Sequence, residues 1–341
     1  MDQTQEQMKF LGTLGIFAQS FKTIFNSKKL FAGFTFTLAF PLALIFILHM
    51  DISSRFFYGI EENPYLLIIG AFQSYRSYYQ VDVTHTVWLN YVLFKMIIIT
   101  NIIIFSTLST SVIVYTIASL YTGRDITFTK AFKIGNSAWR RLIFTLLSMF
   151  LTLFAYNLLF SVVVFILNAI SEEDAHMSII LIIISVPYGY WSLYLLTIWE
   201  IASVVSVLED SCGLKAAIKS MDLMNGKKKV ALRVSCMLYL FMGVVVFVYM
   251  TFYTYNNGAL GKVWLGIIAI ICGVMLVIGF LVIIVVQTML YLVCKSHHQE
   301  TIDLGSSSTY LGAYLSDAHP VYRAREVIQL GRPQNQAMAQ V

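Results

Sequence analysis

Few side chains in this sequence have both the type and the setting to do chemistry. Glu200, within Thr-Ile-Trp-Glu-Ile-Ala, is the one acidic residue well inside a long apolar stretch. A carboxyl at membrane depth carries a proton or accepts a cationic group, and is a functional candidate by default. Gln287 and Asn157, polar residues in two other apolar stretches, are its candidate partners. A second setting is equally open. Glu200 stands about eight residues, roughly 12 Å, from the end of its stretch, where bases such as Arg140 or Lys219 can satisfy it near the aqueous interface. In the same stretch Pro187-Tyr188-Gly189-Tyr190 removes a backbone donor and is expected to kink the helix. Other chemistry finds no support. His297-His298 has no Cys or acidic ligand set beside it, so no metal is expected. Lys227-Lys228-Lys229 after Gly226 lacks the earlier Gly and the following Ser or Thr of a phosphate-binding loop. No Ser/His/Asp arrangement or metalloprotease helix can be argued. The chain is therefore read as a non-enzyme without a cofactor.

The elements that must position these residues are long apolar helices. Hydrophobic residues make up 58% and charged residues 12% of the 341, against about 25% charged in a soluble domain. A hydrocarbon core about 30 Å thick needs roughly 20 apolar residues in a helix. Six stretches satisfy this: 30–49, 91–120, 142–170, 178–208, 230–253 and 263–293. The expected fold is an all-α polytopic bundle of six transmembrane helices. Residues 1–29 form an arm, 30–294 the membrane domain, and 295–341 a polar tail whose last residues read as disordered. The first apolar run is too long for a signal-peptide core and reads as a signal anchor.

Lys and Arg sort to alternate gaps. Nineteen of the twenty-three lie in the arm, the 2–3 gap, the 4–5 gap and the tail. Positive residues stay cytoplasmic, so both termini are expected in the cytoplasm. Plasma membrane and endoplasmic reticulum both remain open. The four cysteines fall in cytoplasmic loops or spans, so structural disulfides are not expected. Cys294, at the end of the last span, can be palmitoylated or simply unmodified.

Three basic segments carry apolar residues at helical spacing. The arm has Leu11, Leu14, Phe17, Phe21 and Ile24. The 2–3 gap has Phe128, Phe132, Gly135 and Trp139 after Thr127 as N-cap. The 4–5 gap has Leu214, Ala217, Ile218, Met221 and Met224, capped by Ser211 and ended by Gly226. Three cytoplasmic amphipathic helices are expected. The residues that border them are Lys22, Lys28, Lys29, Lys130, Lys133, Trp139, Arg140, Arg141, Lys215, Lys219, Lys227, Lys228 and Lys229. Such helices suit the lipid–water boundary, and juxtamembrane bases attract anionic head groups. The plainer reading is that the charges enforce topology while the stripes pack on the bundle. A shift of 86 residues places Ala131 on Ala217, Phe132 on Ile218 and Lys133 on Lys219, which suggests a tandem repeat. The first outer loop and the tail stripe Tyr310, Leu311, Tyr314 and Leu315 are expected to dock at the interface or on a partner.

Residues 204–230 read VVSVLEDSCGLKAAIKSMDLMNGKKKV. A span ending in Val-Leu-Glu, then Gly, a basic Ala-rich helix with a Ser, then Leu and Gly, resembles the membrane domain attached to bacterial glycerophosphoryl diester phosphodiesterases. The matching positions are Glu209, Gly213, Ala216, Ser220, Leu223 and Gly226. The opening Met-Lys-Phe-Leu-Gly at 8–12 and Ser-Phe-Lys-Thr-Ile-Phe at 20–25 are similar to a plant family of uncharacterised multi-pass transmembrane proteins, over most of the chain. The catalytic barrel does not carry over, since it needs about 250 residues and the longest soluble segment is under fifty. The resemblance implies a membrane-domain architecture with no activity attached. Two functions follow as expectations: a non-enzymatic organiser of membrane lipids, anionic ones among them, or of a cytoplasmic protein partner; or a small-solute or ion transporter with Glu200 in the pathway. Nothing points to nucleic acid.

Overall fold

The structure, a computed structural model, describes residues 8–61, 78–122, 127–170, 175–254 and 262–298. Every regular element among them is helical. In chain order they are α1 (Thr13–Asn26), α2 (Lys28–Phe34), α3 (Phe40–Glu61), α4 (Tyr78–Tyr121), α5 (Phe128–Ile170), α6 (Ala175–Leu208), α7 (Leu214–Met224), α8 (Lys228–Tyr249) and α9 (Lys262–His297). Among the described residues six stretches are long and apolar enough to cross a membrane: Lys28–Met50, Tyr91–Tyr121, Ala138–Leu167, Ile180–Leu208, Lys228–Phe252 and Gly266–His297. They overlie the six expected from the sequence.

Local chemistry explains the breaks. A widened turn at Thr35–Ala39 joins α2 to α3, with the Phe40 amide reaching the Thr35 carbonyl. Pro41 follows and has no N–H to continue the ordinary ladder, so one π-type turn absorbs the mismatch. Pro187 stays inside α6, and the helix runs on through it. Just past that proline the Tyr156 hydroxyl of α5 donates to the Tyr188 carbonyl at 2.9 Å.

The helices outreach a bilayer. α4 has 44 residues and α5 has 43, each rising about 65 Å against roughly 30 Å of hydrocarbon. The main core sits at the end where the basic segments gather. There Ile113 and Ile117 of α4, Leu142 of α5, Ile201 of α6, Met224 of α7 and Met289 of α9 are fully buried. Toward the other end Phe154, Phe165, Ile182, Phe247 and Ile270 face outward. A smaller cluster there joins α3, α8 and α9 through Ala43, Val245, Tyr249, Cys272 and Leu276. α6 and α9 are central, while α5 stands at the periphery with no residue of its most apolar stretch buried.

Several expectations are corrected. The basic segment of the 2–3 gap is not a separate helix: α5 runs unbroken from Phe128 into the third apolar stretch. Nothing between Trp139 and Leu142 breaks the ladder, whereas Gly226 at φ +86° does so between α7 and α8. The two segments matched by the 86-residue shift therefore differ in form, although Ala131 and Ala217 are both buried and Phe132 and Ile218 both exposed. Ser211 does not cap α7. Gly213 takes the N-cap position, and the Ser211 hydroxyl is buried without a hydrogen bond. α3 extends to Glu61 and α4 starts at Tyr78, so helix occupies both flanks of the expected outer loop. Its middle, including Leu66–Phe72, lies outside the described residues, as does the tail stripe at Tyr310–Leu315.

Candidate functional site

α6 ends at Leu208, and a short turn sends the chain back as α7 along the helix it has just left. Glu209 stands at that turn and is 9% exposed. Its Oε1 accepts hydrogen bonds from the Tyr291 hydroxyl at 2.6 Å and from Lys295 Nζ at 2.8 Å. Tyr291 and Lys295 are four residues apart and so lie on one face of α9. Lys219 of α7 pairs with the other carboxylate oxygen. Burial alone would push the Glu209 carboxyl up. Hydrogen bonds from Lys219, Lys295 and Tyr291 outweigh it and hold the group below the ordinary carboxylate value. Lys295 is itself 7% exposed, so each buried charge is the answer to the other.

The same turn is tied to α5. Arg141 donates to the Glu209 carbonyl at 3.1 Å and to Asp210 Oδ1 at 2.6 Å. The Gly213 amide donates to Thr145 Oγ1 at 2.9 Å, and Thr145 shares a hydrogen bond with Ser206 of α6 at 2.7 Å. α7 then lies close on α6 because its inner face is small. Ala216 is fully buried and the Ser220 hydroxyl reaches the Ile198 carbonyl at 2.9 Å. Leu223 closes the face at 2% exposure. Gly226 ends the segment in the left-handed region, with the His297 ring where a Cβ would stand, 2.6 Å from its Nε2. Gly226→Ala is expected to destabilise the folded protein by about 1–2 kcal/mol from the backbone alone. Thermal unfolding in detergent checks this, and His297→Ala in the same chain should recover only the steric part.

A family model described as Domain of unknown function (DUF8558) matches residues 1–332. The chain belongs to this family. No curated protein and no solved structure matches it.

Elsewhere in the DUF8558 chain the anticipated residues separate into groups. Glu200 meets Gln287, one of its candidate partners. Its other partners come from α8: Ser235 Oγ donates to Oε2 at 3.0 Å, and the Tyr239 hydroxyl donates to Oε1. Asn157 does not reach it. That amide accepts from the Tyr188 hydroxyl at 2.5 Å, beside a stack of Tyr156, Phe160 and Tyr188 between α5 and α6. Arg140 and Lys219 do not serve Glu200 either: Arg140 lies against the Trp139 ring and Lys219 is at Glu209. Lys22, Lys28, Lys29, Lys130, Lys133, Lys215, Lys228 and Lys229 are exposed, and Lys227 is partly so. Cys294 is fully buried, which removes it as an acylation site. His298 contacts the Asn225 carbonyl at 3.1 Å. Among the described residues no group of three metal-ligating side chains converges.

Sequence reading misses Tyr291, Tyr239, Ser235 and Thr145, and counts Lys295 only as an orientation charge. A usable signal existed for the first: a Tyr and a Lys one turn apart at the end of a span, with one Glu at the matching end of another.

Proposed function

We propose that this protein spans a membrane six times with its basic end in the cytoplasm, and that this end binds an anionic lipid surface as a non-enzymatic organiser. One observation carries the reading. α1 buries Thr13, Ile16, Ser20 and Thr23 against the bundle, with Phe17 and Ile24 packed beside them, yet its other side is apolar as well. Gln19 and Thr23 there contact the Tyr121 hydroxyl at 2.9 and 3.2 Å. Phe10, Leu14 and Phe25 face outward at 81, 77 and 62% exposure. A water-exposed helix keeps its outer side polar. An outward apolar face suits the acyl boundary, where amphipathic helices lie in the interface plane.

The surroundings agree with a charged interface. Lys22, Lys28 and Lys29 are exposed along the same stretch, and Lys28 stands over the Phe25 ring. α7 is likewise apolar on both sides, with Ala216, Ala217, Ser220, Leu223 and Met224 inward and Leu214, Ile218 and Met221 outward beside Lys215. At the start of α5, Phe132 and Trp139 are exposed next to Lys133 and Arg140. Aromatic bodies with cationic tips are the composition of membrane–water boundaries.

The expected result concerns full-length protein in nanodiscs. Amide exchange over 13–26 is slower in anionic than in neutral lipid, and the difference shrinks with salt. Changing Lys22, Lys28 and Lys29 together to Ala removes about 1 kcal/mol each, or roughly two orders of magnitude in lipid preference. Equal protection in neutral and anionic discs would sink the proposal.

A further inference from the structure

The two carboxyls at this end of the bundle are solvated in opposite ways. Glu209 is surrounded by Lys219 and Lys295, whose ammonium groups donate and never accept. With the Tyr291 hydroxyl donating beside them, they favour its anionic form. Glu200 is surrounded by the hydroxyls of Ser235 and Tyr239 and the amide of Gln287. Each of these both donates and accepts. When Glu200 is ionised they donate to its oxygens. When it is protonated, one of them turns to accept its O–H, and no polar group is left without a partner. Among the described residues no cation forms an ion pair with Glu200.

The location fits the chemistry. Glu200 is on α6, Ser235 and Tyr239 are on α8, and Gln287 is on α9, so three helices meet at one carboxyl. It lies eight residues from the end of α6, roughly 12 Å along the axis. Gln287 is 9% and Ser235 1% exposed, while Glu200 remains partly accessible. Tyr239 is the titratable group that touches it. Four charged groups of the neighbouring elements are engaged elsewhere: Lys219 of α7 and Lys295 of α9 at Glu209, Arg141 of α5 at Asp210, and Arg233 of α8 at the Lys229 carbonyl.

We propose that Glu200, Ser235, Tyr239 and Gln287 form a proton-binding site within the bundle, in which the Glu200 carboxyl takes up and releases a proton. The proton exchanges with water at the basic end, and no redox or group-transfer step is involved. Binding a proton changes which partner donates to which, and so alters the hydrogen bonds that join α6 to α8 and α9. The site is independent of lipid binding at the outer faces of α1 and α7.

The test uses the full chain in nanodiscs and infrared difference spectra across pH. A protonated-carboxyl carbonyl band is expected that vanishes reversibly as pH rises, is absent in E200Q and persists in E209Q. E200Q keeps a neutral amide among the same partners, and its thermal unfolding shows whether it has folded. If it does not fold, the wild-type protein answers alone. Protonated carboxyls in apolar surroundings add to dicyclohexylcarbodiimide, giving up the proton to its nitrogen as the carboxylate oxygen bonds to its central carbon, and mass spectrometry maps the adduct. An adduct at Glu200 is expected whose yield falls roughly tenfold per pH unit once the proton is lost. A carbonyl band unchanged in folded E200Q, or no adduct at Glu200 at any pH, overturns the proposal.

Discussion

Replacing Glu209 with alanine is expected to destabilise the protein by about 3–5 kcal/mol, the cost of leaving a buried charge without its partner. Lys295 is the charge left behind: its Nζ sits 2.8 Å from the carboxylate and the residue is 7% exposed. Lys219 matters less, because its side chain is 41% exposed and water can replace the carboxylate there. Lys295→Met should cost less, because Glu209 keeps Lys219 and the Tyr291 hydroxyl as partners. The pair changed together should cost well under the sum, since two apolar groups need no counter-charge. Thermal unfolding of the four proteins in detergent gives the coupling energy. Additive losses would show that the two charges do not hold each other.

The same carboxyl sets an acid limb. Its folded-state value is depressed by Lys219, Lys295 and Tyr291, which outweigh the effect of burial. Its stabilising contribution is therefore complete above the unfolded value of about 4.3 and is lost as pH falls through the lower folded value. Glu209→Gln should unfold more easily at neutral pH and lose this part of its acid sensitivity. An unfolding midpoint with the same acid slope in both proteins would contradict the assignment.

The helices were readable because their signal is local. An apolar run of sufficient length forms a helix whatever its neighbours do, so the six long stretches and the break at Gly226 follow from sequence. For Glu200 the sequence offers Gln287, Asn157, Arg140 and Lys219 as partners, and depth within an apolar run does not choose among them. The Glu209–Lys295 contact was not readable. It joins residues 86 apart, and each charge alone looks like one more residue at a span end. The outward face of α1 was half readable. Periodicity finds the stripe of Leu11, Leu14, Phe17, Phe21 and Ile24 but not its division: Leu11, Phe17 and Ile24 pack against the core, while Leu14 and Phe21 face outward. Tyr121 takes the polar residues Gln19 and Thr23. The separate helix expected at 127–141 failed for a different reason. Composition marks where a helix changes surroundings, not where its backbone stops.

Gly213 makes the backbone's part in this junction testable. Its φ of +60° with ψ of −134° is a conformation that side chains strongly disfavour. A Cβ would also stand 2.8 Å from the Phe144 ring and 3.1 Å from Ser148 Oγ. Two separate costs therefore add: roughly 1–3 kcal/mol of backbone strain, and displacement of Phe144 or of the turn itself. If the turn moves, the Gly213 amide loses Thr145 and Glu209 moves away from α9. Gly213→Ala is expected to cost about 3 kcal/mol in thermal unfolding. Adding Phe144→Ala should relieve the contact and leave the strain, so the double variant recovers part of the loss and no more. Gly189 is the control: it is helical, with nothing within 4 Å of an added Cβ. Gly189→Ala should be neutral or slightly stabilising, because alanine loses less chain entropy in a helix. Equal effects at 189 and 213 would mean that the strained turn after Glu209 is not what holds α7 against α6.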